Sequence, residues 1–316
     1  DGLETRAAGT SMSAQQAAGA AALVKKALKN VADKVTGWVW ENLPFSVKML
    51  LMVSAEDMRA PVQKMGAGLM DYGAAVKAAG GDLSWIADAR KAVDLPRSVF
   101  EAAGAIGKDA EGAVRGSPEA QLKARLAART AAKSILVLFG KQNRQIARLV
   151  AAQTARIAAE KALAQVAGSA AQKAAGAAFK AESAKVRPEL AKLLKHDVWV
   201  VRFYAAFAYL GLKDIEALPL LAEVAASDAD ARVRQLALQA IAETPSKSVD
   251  DKVSPLLKDP ALEIRAYAAM ALARHGNAEA VKTLLDLSQH TDKMVRYTAS
   301  LAMGYIGKQA TPAVTE

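Results

Sequence analysis

Apolar residues recur along this chain at three- and four-residue spacing, and strict alternation of the kind a half-buried strand needs is absent. The pattern predicts helices throughout. One runs from about Ala14 to Thr36, with Leu23, Leu28, Val31 and Val35 on one face and Gly37 ending it. A short apolar helix follows over residues 45–58, after the break at Asn42-Leu43-Pro44. Pro61 opens another helix to about Ala79, stopped by Gly80-Gly81, and Ser84 to Val93 is short. Pro96 begins a helix that ends near Gly112 to Gly116. Ser117-Pro118 combines a capping serine with proline at the first helical position, and the pattern then holds to about Ala167, with a break expected near Gly140. Gly168 to Lys185 reads as a helix or a loosely ordered connector, and Pro188 marks the next start.

Beyond Pro188 the pattern itself repeats. Arg202, Arg234, Arg265 and Arg296 are separated by 32, 31 and 31 residues. Each follows a β-branched residue (Val201, Val233, Ile264, Val295) and is followed three and six residues later by alanine: Ala205 and Ala208, Ala237 and Ala240, Ala268 and Ala271, Ala299 and Ala302. A period of this size is one supersecondary unit stacked on itself, so a solenoid is expected. Acidic turns open the units at Asp197, Asp228 with Asp230, Asp259 and Asp292. Arginine in the first turn of a helix opposes the helix dipole and needs a carboxylate nearby. A structural ladder is therefore expected among Arg202, Arg234, Arg265, Arg296, Asp228, Asp259 and Asp292, either within a unit or between adjacent ones. After the helix Asp292 to Gly307 no second helix is evident, so Leu301, Met303, Tyr305 and Ile306 are candidates for cover by the tail or by another protein.

The strings Asp228-Ala-Asp-Ala-Arg-Val-Arg234-Gln-Leu-Ala237, Asp259-Pro-Ala-Leu-Glu-Ile-Arg265-Ala-Tyr-Ala268 and Asp292-Lys-Met-Val-Arg296-Tyr-Thr-Ala299 resemble HEAT repeats. The resemblance is closest to the short variety called phycobilisome lyase HEAT-like repeats, over roughly residues 187–307. It implies stacked helix pairs and a protein-binding surface. Its members include bilin lyases, adaptors and subunits of large assemblies, and no catalytic residue of theirs maps onto this sequence.

Charge changes the picture in one place. The net charge is +10, and residues 121–180 hold 11 basic residues and one acid, Glu160. Arg125, Arg129 and Lys133 share a helix face by their spacing of four, and Lys141, Arg144, Arg148 and Arg156 continue the run. Leu122, Leu126, Ile135, Leu136, Leu138, Ile146, Leu149 and Val150 are expected to form the apolar side. An acidic protein subunit, an anionic lipid surface and nucleic acid are the partners such a face suits. Phe139 and Phe179 are the only aromatics between 121 and 180, which argues against base stacking and makes nucleic acid an unfavoured partner. Trp38, Trp40 and Phe45 beside Met49, Leu50, Leu51 and Met52 suit internal packing or a partner, with membrane contact as the lesser alternative.

Little of the sequence suggests chemistry. There is no cysteine, which excludes a disulfide framework and a thiolate nucleophile. The three histidines, His196, His275 and His290, do not form a metal-binding pair at helical spacing, and His196 suits a helix end. Gly104 to Asp109 lacks the glycine at 102 and the hydroxyl at 109 that a phosphate loop requires. Asp250 and Asp251 are adjacent, so on a helix they point apart and read as surface charge. No apolar run is long enough to span a bilayer.

The expectation is an all-α protein with two parts. Residues 1–182 form an irregular helical domain that contains the basic segment 121–180, and residues 183–316 form a short HEAT-like α-solenoid. The function expected is a non-catalytic scaffold or accessory subunit in a large assembly, without a cofactor. A bilin-lyase-like chaperone or assembly factor is the alternative, and a nucleic-acid-associated repeat protein the second. The chain begins at Asp1, as a processed organellar protein does; the photosynthetic members of the resembled family place chloroplast ahead of mitochondrion.

Overall fold

Alanine three and six residues after each repeated arginine gives each first helix a smooth flank, and the flanks meet. In a computed structural model, which describes residues 10–30, 39, 42–55, 71–139 and 144–306, Ala205, Ala237, Ala268 and Ala299 are fully buried. With only a methyl group at those positions, neighbouring helices approach closely and pack to native density. Among the described residues there are 13 α-helices and no strand. They are α1 (Thr10–Asn30), α2 (Leu43–Val53), α3 (Tyr72–Ala78), α4 (Trp85–Arg115), α5 (Pro118–Phe139), α6 (Arg144–Leu193) and α7 (Trp199–Leu212). Then come α8 (Leu218–Ser227), α9 (Ala231–Glu243), α10 (Asp250–Val253), α11 (Leu262–Arg274), α12 (Ala278–Ser288) and α13 (Lys293–Ile306), with single 3-10 turns before α8 and after α10.

The repeats form two layers. The first helices α7, α9, α11 and α13 lie side by side, each against the next, while α8 packs on α9 and α12 packs on α11 and α13. Val201, Val233, Ile264 and Val295, one residue before each arginine, all point into this stack. Local signals set the helix ends. Asp230 caps α9 by accepting the Arg232 N–H at 2.9 Å, and Asn277 caps α12 through the Ala280 N–H at 3.1 Å. Gly276 follows α11 at φ 89°, a left-handed conformation that glycine adopts without steric cost. The Asp259-Pro260 start is displaced: α11 begins at Leu262, and the Asp259 carboxylate instead receives the Ala261 N–H at 2.9 Å.

The expected boundary at 182/183 does not divide the chain as anticipated. Residues 1–96 and 187–316 form one compact unit, and residues 97–186 form the other. The reason is a set of contacts between the segment around α2 and the start of the repeats. Trp199 donates its indole N–H to the Val53 carbonyl at 3.4 Å, the Tyr204 hydroxyl meets the Met52 sulfur at 3.3 Å, and Arg232 donates to the Ala55 carbonyl at 3.0 Å. Met49 and Leu50 are fully buried, and Phe45 lies under Arg90 at 5.3 Å, which supports internal packing for that apolar stretch. Trp38 and Trp40 lie outside the described residues. On the same unit, Tyr209 is buried and its hydroxyl donates to the Arg187 carbonyl at 3.1 Å; burial pushes its pKa well above the ordinary tyrosine value.

The second unit is long helix laid on long helix. Phe100 stacks against Phe179 with ring centroids 5.0 Å apart, a Cβ on Gly107 would meet Ala175 at 3.0 Å, and Arg115 reaches Glu160 at 3.1 Å. Rising numbers on α4 meet falling numbers on α6, so the two run antiparallel. The unit boundaries fall inside these helices. Pro96 and Pro188, expected as helix starts, lie within α4 and α6, and Gly168 to Lys185 is continuous α6. Alanine-rich flanks carry the helix past positions where proline alone signals a break.

Candidate interaction surfaces

The arginine ladder forms between repeats and has two complete steps. Arg202 donates from Nε and Nη2 to the two carboxylate oxygens of Asp228 at 2.7 and 2.9 Å, and its Nη1 binds the His196 and Asp197 carbonyls at 2.8 and 2.9 Å. Hydrogen bonding to Asp228 raises the Arg202 pKa, outweighing the opposing effect of burial. Arg234 pairs with Asp259 and also donates to the Ala225 carbonyl at 2.9 Å. An equivalent pair precedes the ladder, where Arg187 grips Asp214 at 2.6 and 2.9 Å.

The expected third step, Arg265 to Asp292, does not form. Arg265 donates to the Asp259 carbonyl at 2.8 Å, and Asp292 caps α13 through the Met294 N–H at 2.7 Å. A cavity of about 860 Å³ opens between the N-terminal turns of α9, α11 and α13, lined by Asp230, Glu263, Asp292 and Met294 among others. Asp292 lies on that cavity, and its carboxylate is committed to its own helix. Arg296 has no acidic partner among the described residues; its Nη1 binds the His290 and Thr291 carbonyls, both at 2.7 Å.

The helix α13 differs from α9 and α11 in one respect, and on α7 the equivalent Phe207 is 55% exposed although α9 packs on that helix. Tyr297, Ser300, Leu301 and Gly304 correspond, 31 residues back, to Ala266, Ala269, Met270 and Ala273 on α11, all of which are buried. A further 31 residues back, Gln235, Leu238, Gln239 and Ala242 on α9 are buried as well. On α13, Tyr297 is 43% exposed, Ser300 and Gly304 are exposed, and Leu301 is half-buried. Of the other candidates at this end, Met303 is half-buried and Ile306 is buried in the chain's own core, so Ile306 is not available for docking. The Tyr305 side chain lies outside the described residues.

Residues 251–316 match the family described as HEAT repeats. The match begins in α10 and spans α11 to α13, and the same two-layer packing continues upstream to α7. It supports HEAT repeats as a class. No curated protein and no solved structure matches the chain. HEAT-repeat proteins are generally protein-interaction scaffolds and usually non-enzymatic.

The basic segment has the reverse of the expected packing. At 100° per residue, Leu122, Leu126, Arg129, Lys133, Leu136 and Val137 fall within about 100° of one another on α5. All six are exposed, whereas Ala120 and Ala124 on the opposite side are buried. The leucines expected to form a core face stand in solvent among the cations, with Leu122 56% and Leu126 54% exposed. Alanine makes the packing seam because it allows closer helix approach than leucine. Arg125, Arg148 and Arg156 are exposed too, as are Val150 and Ile157. Ile135 is half-buried; Lys141 and the side chains of Leu138, Arg144, Ile146 and Leu149 lie outside the described residues. Glu160, the one acid of the segment, is held by Arg115. Eight of the 14 large apolar side chains exposed among the described residues belong to residues 97–186, so this unit presents apolar surface as well as charge.

Two features were not anticipated from the sequence. Arg232 is 6% exposed, lies 3.6 Å above the Trp199 ring, and donates to both oxygens of Asp230 at 2.9 and 2.6 Å. Its repeat counterparts are Val200, Glu263 and Met294, so a second arginine in that register was the available signal. Asp250, read as surface charge, contacts the His275 Nδ1 at 2.6 Å and ties the start of α10 to the end of α11. Neither arrangement carries a nucleophile or a ligand set, and among the described residues no group of three acidic or histidine side chains could hold a metal ion. No helix of the described residues is long and apolar enough to cross a membrane.

Proposed function

We propose that this protein is an accessory subunit of a larger assembly and that it binds an acidic protein surface through the exposed face of α5. The observation that carries this reading is the packing of α5: Leu122, Leu126, Leu136 and Val137 are exposed beside Arg129 and Lys133, while Ala120 and Ala124 are buried. Exposed apolar side chains grouped on one face and set among charges mark a protein contact. An acidic protein surface would cover Leu122 and Leu126 and pair with Arg129 and Lys133.

The test is affinity capture of the tagged full chain from its own cells, with co-purifying proteins quantified by mass spectrometry. Arg125→Glu with Arg129→Glu is expected to lower recovery of a stoichiometric partner about tenfold, the effect of roughly 1.4 kcal/mol at an interface. Circular dichroism should show the variant folded, because both positions are exposed. Undiminished recovery would rule out the α5 face.

A further inference from the structure

The exposed stripe of α5 is more strictly ordered than amphipathic spacing alone requires. Leu122, Leu126, Arg129, Lys133 and Leu136 follow one another at steps of four, three, four and three residues. All five are exposed, Leu122 by 56%, Leu126 by 54% and Leu136 by 44%. Alternating steps of three and four average 3.5 residues, the spacing that keeps a stripe turned toward a second helix as the two supercoil. The opposite side of α5 is already engaged, with Ala120 and Ala124 buried and Ala127, Ala128 and Ala131 half-buried. The leucine stripe is therefore a second seam, distinct from the alanine seam that the chain itself covers.

Two cations interrupt that second seam. Arg129 and Lys133 stand at consecutive core positions, and neither makes an ion pair among the described residues. Lys123, at the edge of the stripe, is by contrast paired with Glu119 at 3.0 Å, and Glu160 is held by Arg115. A charged residue at a core position lowers the strength of pairing and selects the partner. A second copy of α5 would set cation against cation in a segment that holds 11 basic residues and one acid. We infer that α5 is one strand of an intermolecular two-stranded coiled coil. The other strand is a helix of a partner protein, with apolar residues opposite Leu122, Leu126 and Leu136 and carboxylates opposite Arg129 and Lys133. The inference rests on the proposed reading of α5 as a protein contact, and it names the form and the chemistry of what docks there. Arg125, exposed beside Leu126, extends the preference for acid to the flank of the partner helix.

The test uses the full chain and synthetic three-heptad peptides with leucine at every core position except the two that would face Arg129 and Lys133. Those two hold glutamate in one set and lysine in the other, and each set is made for parallel and for antiparallel pairing. Binding is read by fluorescence anisotropy of the labelled peptide. In one direction the glutamate peptide should bind at least about tenfold more tightly than its lysine counterpart. Arg129→Glu with Lys133→Glu should reverse that preference, and Leu122→Ala with Leu126→Ala should weaken binding about tenfold. Undiminished binding to the alanine variant would mean charge attraction without a seam and would overturn the inference. Failure of every peptide to bind would overturn it as well.

Affinity capture from the protein's own cells supplies the second arm. Leu122→Ala with Leu126→Ala should lose the same partner as Arg125→Glu with Arg129→Glu, and the tighter peptide should displace that partner from the captured chain. If charge reversal loses the partner and the alanine variant keeps it, α5 docks on an acidic surface and the coiled coil is wrong. If neither loses it, both readings fall. A concentration-dependent dimer dispersed by the alanine variant would give the seam to a second copy. Retention on phosphatidylserine vesicles that the alanine variant abolishes would give it to a lipid surface. Either outcome overturns the assignment to a partner helix.

Discussion

Arg232→Ala should destabilise the unit made of residues 1–96 and 187–316 by about 3–5 kcal/mol, the usual consequence of removing one member of a buried charged pair. Asp230 would remain with only its capping bond to the Arg232 amide, the Ala55 carbonyl would lose its donor from 3.0 Å, and Trp199 would lose the cation stacked at 3.6 Å. Stacking of this kind on a desolvated ring contributes about 2 kcal/mol by itself. Arg232→Lys should recover little, because an ammonium cannot lie flat on the indole and still meet two oxygens of Asp230 and a carbonyl. Urea unfolding is the measurement, with the midpoint falling at nearly constant slope. A loss below about 1 kcal/mol would mean that Arg232 is not what fastens the α2 segment to the repeats.

The second large effect is a contrast between two aspartates that look equivalent in the repeat. Asp228→Ala removes both carboxylate acceptors of Arg202 and leaves a largely buried guanidinium without its bidentate partner, so about 3 kcal/mol should be lost. Asp292→Ala removes only the cap of α13, which is typically worth about 1 kcal/mol. The difference is measurable by the same urea titrations on the two single variants. Equal losses would contradict the ladder as described, with Asp228 bridging repeats and Asp292 serving its own helix.

That contrast also marks how far the sequence could be read. The period of the arginines, with valine or isoleucine before and alanines after, was enough for stacked helices because each of those positions is fixed by local packing within the repeat. Which aspartate reaches which arginine was not readable, since Asp228, Asp259 and Asp292 occur in near-identical strings and differ only in what their turns present. Pro96 and Pro188 are ambiguous for a related reason: proline signals a helix start by itself, whereas alanine-rich neighbours sustain α4 and α6 through it. The association of residues 1–96 with the repeats depends on contacts such as Trp199 with Val53, separated by 146 residues, and no local pattern encodes them. On α5 the leucines and arginines are legible in the sequence, and the side that packs is not. A helix with both an alanine stripe and a leucine stripe has two candidate packing faces, and here the alanine stripe is the buried one.

The exposed face of α5 is the claim on which the proposed function stands, and the absence of cysteine from the sequence makes it directly measurable. Leu126→Cys places a single thiol at an exposed position on that face. Its rate of reaction with a maleimide should be that of a free surface thiol in the purified chain, and should fall at least about tenfold when the chain is held in its native assembly, because a protein surface docked on α5 would bury it. The same rate in both states would contradict a partner on this face.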